Sequence, residues 1–136
     1  MHETDDDIAR LQSLLDESDR HAGPHLREII TAERRVDARA TCERLTGMRL
    51  LALATVSEDG RPFVGPVDGV FFRGSFHFSS SPDSLRVRHI GHRPFVSATH
   101  LPNEKFAVSV HGQAVILDAT APEHASLRQT LSDIYV

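Results

Sequence analysis

Three hydroxyls stand in a row at Ser79, Ser80 and Ser81; Pro82 follows, and Ser84, Arg86 and Arg88 come soon after it. A serine followed by proline is a good helix start, because the hydroxyl caps a free N–H and proline fits the first turn. The spacing therefore predicts a helix from Pro82 to Ile90, carrying both arginines. Free N–H groups at a helix start, serine hydroxyls and a guanidinium make a donor set suited to a phosphate. The chemistry on offer is binding, of a phosphorylated small molecule. Taken alone, Arg86 and Arg88 also read as solvated helix charges, and the serines as a loop with a cap.

The other reactive side chains say less. Of the 9 histidines, His89 and His92 stand at helical i,i+3 spacing, while His77, His100 and His111 fall in strand-like runs. No cysteine or carboxylate partner stands at ligand spacing, so surface or half-buried histidine is the plainer reading than a metal site. Cys42 is the single cysteine, reads as a helix residue, and can form no disulfide within the chain. A Ser/His/Asp set is present in composition, but no nucleophile elbow accompanies it. Phe71, Phe72, Phe76 and Phe78 read as core and hairpin packing.

The elements around these residues fall into a helical part and a sheet. Ile8, Leu11, Leu14 and Leu15 recur at helical spacing behind Asp5, Asp6 and Asp7, whose charge suits a helix N-terminus. Gly23-Pro24 ends that helix. Leu26, Ile29, Ile30, Val36, Ala40 and Leu45 continue the helical period, with an interruption near Thr31 to Asp37, and Gly47 stands at a C-terminal cap. From Leu50 the period shortens. Residues 50–56 form one strand, Asp59-Gly60 a hairpin turn, and residues 63–72 a second strand interrupted by Pro66. A proline there requires an edge, a bulge or a ligand facing the strand. Arg73-Gly74 makes another tight turn before a strand over 75–80. Gly91 reads as the residue ending the short helix. Strands follow over 94–100 and 105–118, the last bending at Gly112, and a helix from Pro122 to Ile134 closes the order. Five strands joined mostly by hairpins predict an antiparallel barrel.

Composition bounds the rest. A chain of 136 residues, 40% hydrophobic and 25% charged, is an ordinary globular domain with one core. A net charge of -4 argues against nucleic-acid binding, yet residues 84–103 hold three arginines and no carboxylate. A local basic surface on an acidic protein suits an anionic small molecule. The acidic start is unlike a signal peptide and no apolar run is long enough to span a membrane, so a cytoplasmic protein is expected.

The segments LALATVSEDGRPFVGPV, FHFSSSPDSLRVRHIGHRPFVSATH and VHGQAVIL, in that order, resemble the pyridoxamine 5′-phosphate oxidase-like family of split β-barrel flavoproteins. The resemblance covers roughly Thr46 to Asp118. It implies a mainly β fold with flanking helices, an antiparallel split β-barrel over residues 48–136 behind a helical extension over 1–47. It also implies FMN or the deazaflavin F420 as cofactor, and a homodimer with the cofactor at the interface. An oxidoreductase acting on a small molecule is the activity expected. In such proteins the cofactor carries the electron chemistry, and no catalytic side chain is assigned.

Residue by residue, the resemblance lays the strand of Val64, Gly65, Pro66 and Val67 along the flavin ring. Ser79, Ser80 and Ser84 become hydroxyl contacts, and Arg86 becomes the cation that grips the phosphate. Arg88 stands at a commonly basic position, but positions i and i+2 do not share a helix face. Arg88 is then expected to pair across the dimer rather than on the same phosphate. Together with the serine cluster, this match reverses the reading of Arg86 as a solvated charge. Leu85 replaces a frequent arginine, and Asp68 puts a carboxylate beside the ring position. The sequence stops at Val136, where relatives of that family continue into another strand, so fewer strands or a neighbouring subunit would close the barrel. These departures favour an alternative, a non-catalytic or cofactor-free barrel, and a further one is haem held by a strand histidine.

Overall fold

The computed structural model describes residues 1–135 and separates into two compact units, Met1–Gly47 with Phe71–Phe76, and Met48–Val70 with the chain from His77 onward. The first unit opens with helix α1, Asp5–Arg20. Thr4 and Asp7 form a reciprocal capping box, and Asp5, Asp6 and Asp7 put negative charge on the first turn. Asp7 is buried, and it accepts from Arg10 and, at 3.1 Å, from Nε of Arg73. The Thr4 backbone N–H first, with Arg73 and the Thr4 hydroxyl, holds its carboxyl down to about 2, against the desolvation that opposes them.

The predicted second helix is broken into pieces. Gly23 caps α2, Pro24–Ile29, with Pro24 in its first turn; a 3-10 turn at Ala32–Arg34 and then α3, Ala38–Arg44, follow. The expected interruption is where α3 begins anew, with Asp37 accepting from the N–H of Ala40. Gln12 accepts from the N–H of Ala38 at 2.8 Å, tying α1 to α3. Ala38, Cys42 and Leu45 are the buried face. Burial and the nearby Glu3 carboxylate push the Cys42 thiol up to about 12, so it stays protonated.

The strands are β1 (Met48–Val56), β2 (Pro62–Phe72), β3 (Ser75–Phe78), β4 (Phe95–Asn103) and β5 (Phe106–Gln113). They form one sheet in the order β3-β2-β1-β4-β5, and the pairs β1–β2, β1–β4 and β4–β5 are antiparallel. This is the expected antiparallel split-barrel class. Gly60 has φ +86 in the first hairpin turn; Arg73 and Gly74, at +51 and +89, give the left-handed pair a two-residue hairpin requires. In β1, Leu51, Leu53 and Thr55 are buried while Leu50 is exposed, the period-two pattern of a strand with one covered face. Gly69 opposes that buried face: a Cβ there would lie 2.5 Å from Cδ1 of Leu51.

Several boundaries differ from expectation, and β3 ends at Phe78 rather than at residue 80. Helix α4 runs Leu85–His92 rather than from Pro82, and Ser84, not Ser81, caps it through the N–H of Val87. Ser81 to Ser84 close a turn of their own, with the N–H of Ser84 on the Ser81 carbonyl at 3.0 Å and Pro82 in its favoured second position. Gly91 lies inside the helix; Arg93 ends it, because a residue before proline is driven to extended backbone. Strand β5 stops at Gln113, opposite Phe95, and the N–H of Ala114 bonds the Pro94 carbonyl. Beyond that point β4 offers no partner, so residues 114–118 form no strand. The last helix, α5, is Ala125–Tyr135 after a 3-10 turn at Pro122–His124. Val136 lies outside the described residues.

Candidate functional site

Pro66 pairs with Ala52 in an unbroken register, without a bulge. Its carbonyl accepts from Nη2 of Arg86 at 3.3 Å. In an extended strand the N–H and C=O of one residue point to the same edge, so the side of Pro66 that lacks an N–H faces away from β1. Strand β3 is four residues long and follows a two-residue turn, so it covers β2 only at its far end. Pro66 therefore sits on a local edge of an interior strand, and an arginine has taken that edge.

Arg86 is half-buried in the first turn of α4, and Nη1 donates to Oγ of Ser80 at 3.3 Å. The Ser80 and Ser84 hydroxyls are 3.0 Å apart. Five of the predicted residues thus meet: Gly65, Pro66, Ser80, Ser84 and Arg86. A Cβ on Gly65 would sit 3.3 Å from Nη2 of Arg86, so the glycine leaves room for the guanidinium against the strand. Both bonds of Arg86 are long for N–H···O, and a guanidinium has more N–H donors than these two use. The first N–H groups of a helix lack intrahelical partners. The donor chemistry fits a phosphate group here.

The remaining predicted residues separate. Ser79 is exposed just beyond β3. Val64 is 72% exposed and alternates with Pro66 and Asp68 on one sheet face, whereas Val67 is buried and can offer a ligand nothing but backbone. Arg88 lies on a different side of α4 from Arg86, in a hollow beside the β1–β2 turn, where Leu85 joins it. The histidines are more engaged than their sequence suggested. Nδ1 of His89 is 2.8 Å from Oγ1 of Thr55, and its ring packs on Phe63 with centroids 4.9 Å apart. Nδ1 of His100 donates to the Leu50 carbonyl at 2.9 Å, and Nδ1 of His111 is 2.6 Å from Oγ of Ser97. Among the described residues no group of three or more His, Cys, Asp or Glu side chains is placed to hold a metal. No helix among them is long and apolar enough to cross a membrane.

The sequence model of the family described as pyridoxamine 5′-phosphate oxidase matches residues 38–135. Three solved structures share the fold. The conserved hypothetical protein Rv2991 from Mycobacterium tuberculosis superposes with a TM-score of 0.62 at 19% identity, over 78% of this chain and 71% of that one. HutZ, described as a haem storage protein from Vibrio cholerae, gives 0.56 at 18% identity, over 64% and 67%. A haem-binding protein from Mycobacterium smegmatis gives 0.56 at 22% identity, over 69% of this chain. The chain spans about two fifths of the length of that last protein, 40%. No curated protein sequence matches this one.

Proposed function

We propose, from the premise that this chain belongs to the pyridoxamine 5′-phosphate oxidase family, that it binds FMN or F420 and serves as an oxidoreductase for a small molecule. The observation that carries this reading is the seat of Arg86, between the Pro66 carbonyl and the Ser80 hydroxyl, with Ser84 alongside. In this reading Arg86, Ser80 and Ser84 hold the phosphate, and the backbone of Val64 to Val67 runs beside the ring. When bound, the cofactor supplies hydride or electron transfer, and the protein supplies position and electrostatics. Asp68, exposed on the same face as Pro66, would disfavour a negative charge on the ring. Leu85 leaves Arg86 as the guanidinium of this cluster.

A homodimer accompanies the proposal. Leu50, Val64 and Leu101 expose apolar side chains on the sheet strands, and Val115 and Ile116 follow β5. A partner subunit covering them explains the exposure. Sedimentation showing a stable monomer at micromolar concentration would rule the dimer out.

A second reading, haem binding, rests on His111. It is an exposed strand histidine whose Nδ1 is held by Ser97, which leaves Nε2 to ligate. Two of the structural neighbours are described as haem proteins. The absorption spectrum of the purified protein separates the two readings. A flavin or deazaflavin spectrum supports the first, and a haem band supports the second. A colourless preparation that takes up none of these cofactors contradicts both.

A further inference from the structure

We propose that the hollow between α4 and the β1–β2 turn is a second binding site, separate from the Arg86 cluster, for a small organic carboxylate with a flat apolar body. The hollow has a volume of about 500 Å³. Its deepest polar group is His89, a residue 6% exposed on the lining. Thr55 fixes Nδ1 and Phe63 packs on the ring, so the imidazole is held in place and Nε2 is the ring nitrogen that Thr55 does not engage. Arg88 and His92 flank it on the same helix, and Arg88 makes no ion pair among the described residues. A guanidinium fork beside two imidazoles matches the two oxygens of a carboxylate.

The opposite wall is the β1–β2 turn, and Arg93 holds it by donating to the Glu58 carbonyl at 2.7 Å. Of its two acids, Asp59 is already engaged by Arg61 and Ser57. Glu58 remains as a negative side chain on the rim, which favours a monoanion over a phosphate dianion. Leu85 adds an exposed apolar side chain to the lining. A second hollow of about 330 Å³ shares His92 and is lined also by Val56, Arg93, Pro94 and Phe95, which sets apolar side chains beside the one that would take the carboxylate. The Arg86 guanidinium turns instead to Ser80 and Pro66, so the two sites use different sides of one helix.

The test is an NMR titration of the full chain, following the imidazole signals of His89 and His92, with benzoate as the probe. Benzamide, its neutral counterpart, and inorganic phosphate are run alongside. Benzoate should shift both imidazoles saturably in the millimolar range, with benzamide and phosphate much weaker. Arg88→Gln should weaken benzoate about tenfold, the loss of one charge-assisted contact, and Arg86→Gln should leave it unchanged. Four results overturn the proposal: no imidazole shift, equal binding of benzamide, full affinity in Arg88→Gln, or loss of benzoate binding in Arg86→Gln.

Discussion

Arg86 and Pro66 are 20 residues apart in sequence, yet the guanidinium of one donates to the carbonyl of the other. The contact joins a sequence oddity, proline inside a strand, to the residue best suited to grip a phosphate. A ring-closed residue removes a donor on that edge, and an arginine takes up the acceptor left beside it.

Gly65→Ala tests how closely that seat is shaped. The added methyl would lie 3.3 Å from Nη2, so the guanidinium must move by a few tenths of an ångström. Affinity for the phosphorylated cofactor should fall by less than in a variant lacking the arginine, with little change in thermal midpoint. A fall in stability larger than the fall in affinity would mean that Gly65 serves the sheet rather than the site.

Arg73 pairs with a residue 66 positions away, the buried Asp7. Its turn position alone would make it a neutral surface residue, but the ion pair gives it a structural role. Arg73→Asn keeps a residue at ease with positive φ and removes the donor, and should cost about 1–3 kcal/mol. Chemical denaturation measures it; an unchanged midpoint would show that Arg10 and Thr4 suffice for the carboxylate.

The same carboxylate sets an acid response. Its folded value, about 2, lies below the ordinary 3.8. The contribution to stability is therefore fully present above about 3.8 and is lost as the pH falls through about 2. Acid unfolding followed by circular dichroism should shift in that window, and Asp7→Asn should remove this part of the pH dependence. An identical profile for the two proteins would place the acid response on other carboxylates.

Gly69→Ala should destabilise the sheet by roughly 1–3 kcal/mol, because the new methyl meets the buried Leu51. Leu51→Val in the same protein should recover part of the loss. Thermal denaturation of the single and double variants measures both, and additive losses would refute the clash.

Local chemistry made part of this structure legible. Asp59-Gly60 and Arg73-Gly74 stand where left-handed backbone is needed, and Asp5, Asp6 and Asp7 stand where a helix start favours negative charge. The sheet followed from those turns and from period two. The start of α4 was not legible in the same way, since Ser81 and Ser84 are both competent caps. The choice depends on Pro82 closing a turn before the helix begins. Strand β5 ends where β4 begins at Phe95, a boundary set by the partner strand rather than by residues 114–118. In the candidate site, the donor types could be read from sequence, and Arg88 was rightly separated from Arg86 by helix geometry. The partners of Arg86, Arg73 and His89 could not, because each lies on a different element and no local pattern encodes the pairing.

The central claim is that Arg86 grips the phosphate of a flavin-type cofactor, and titration of FMN and of F420 into the unchanged protein and Arg86→Ala tests it most directly. A charge-assisted hydrogen bond to phosphate contributes about 1.5–3 kcal/mol. The variant should therefore bind the preferred cofactor roughly tenfold to a hundredfold more weakly, with its fold intact by circular dichroism. Equal affinity in the two proteins, or no binding of either cofactor to the unchanged one, would contradict the account.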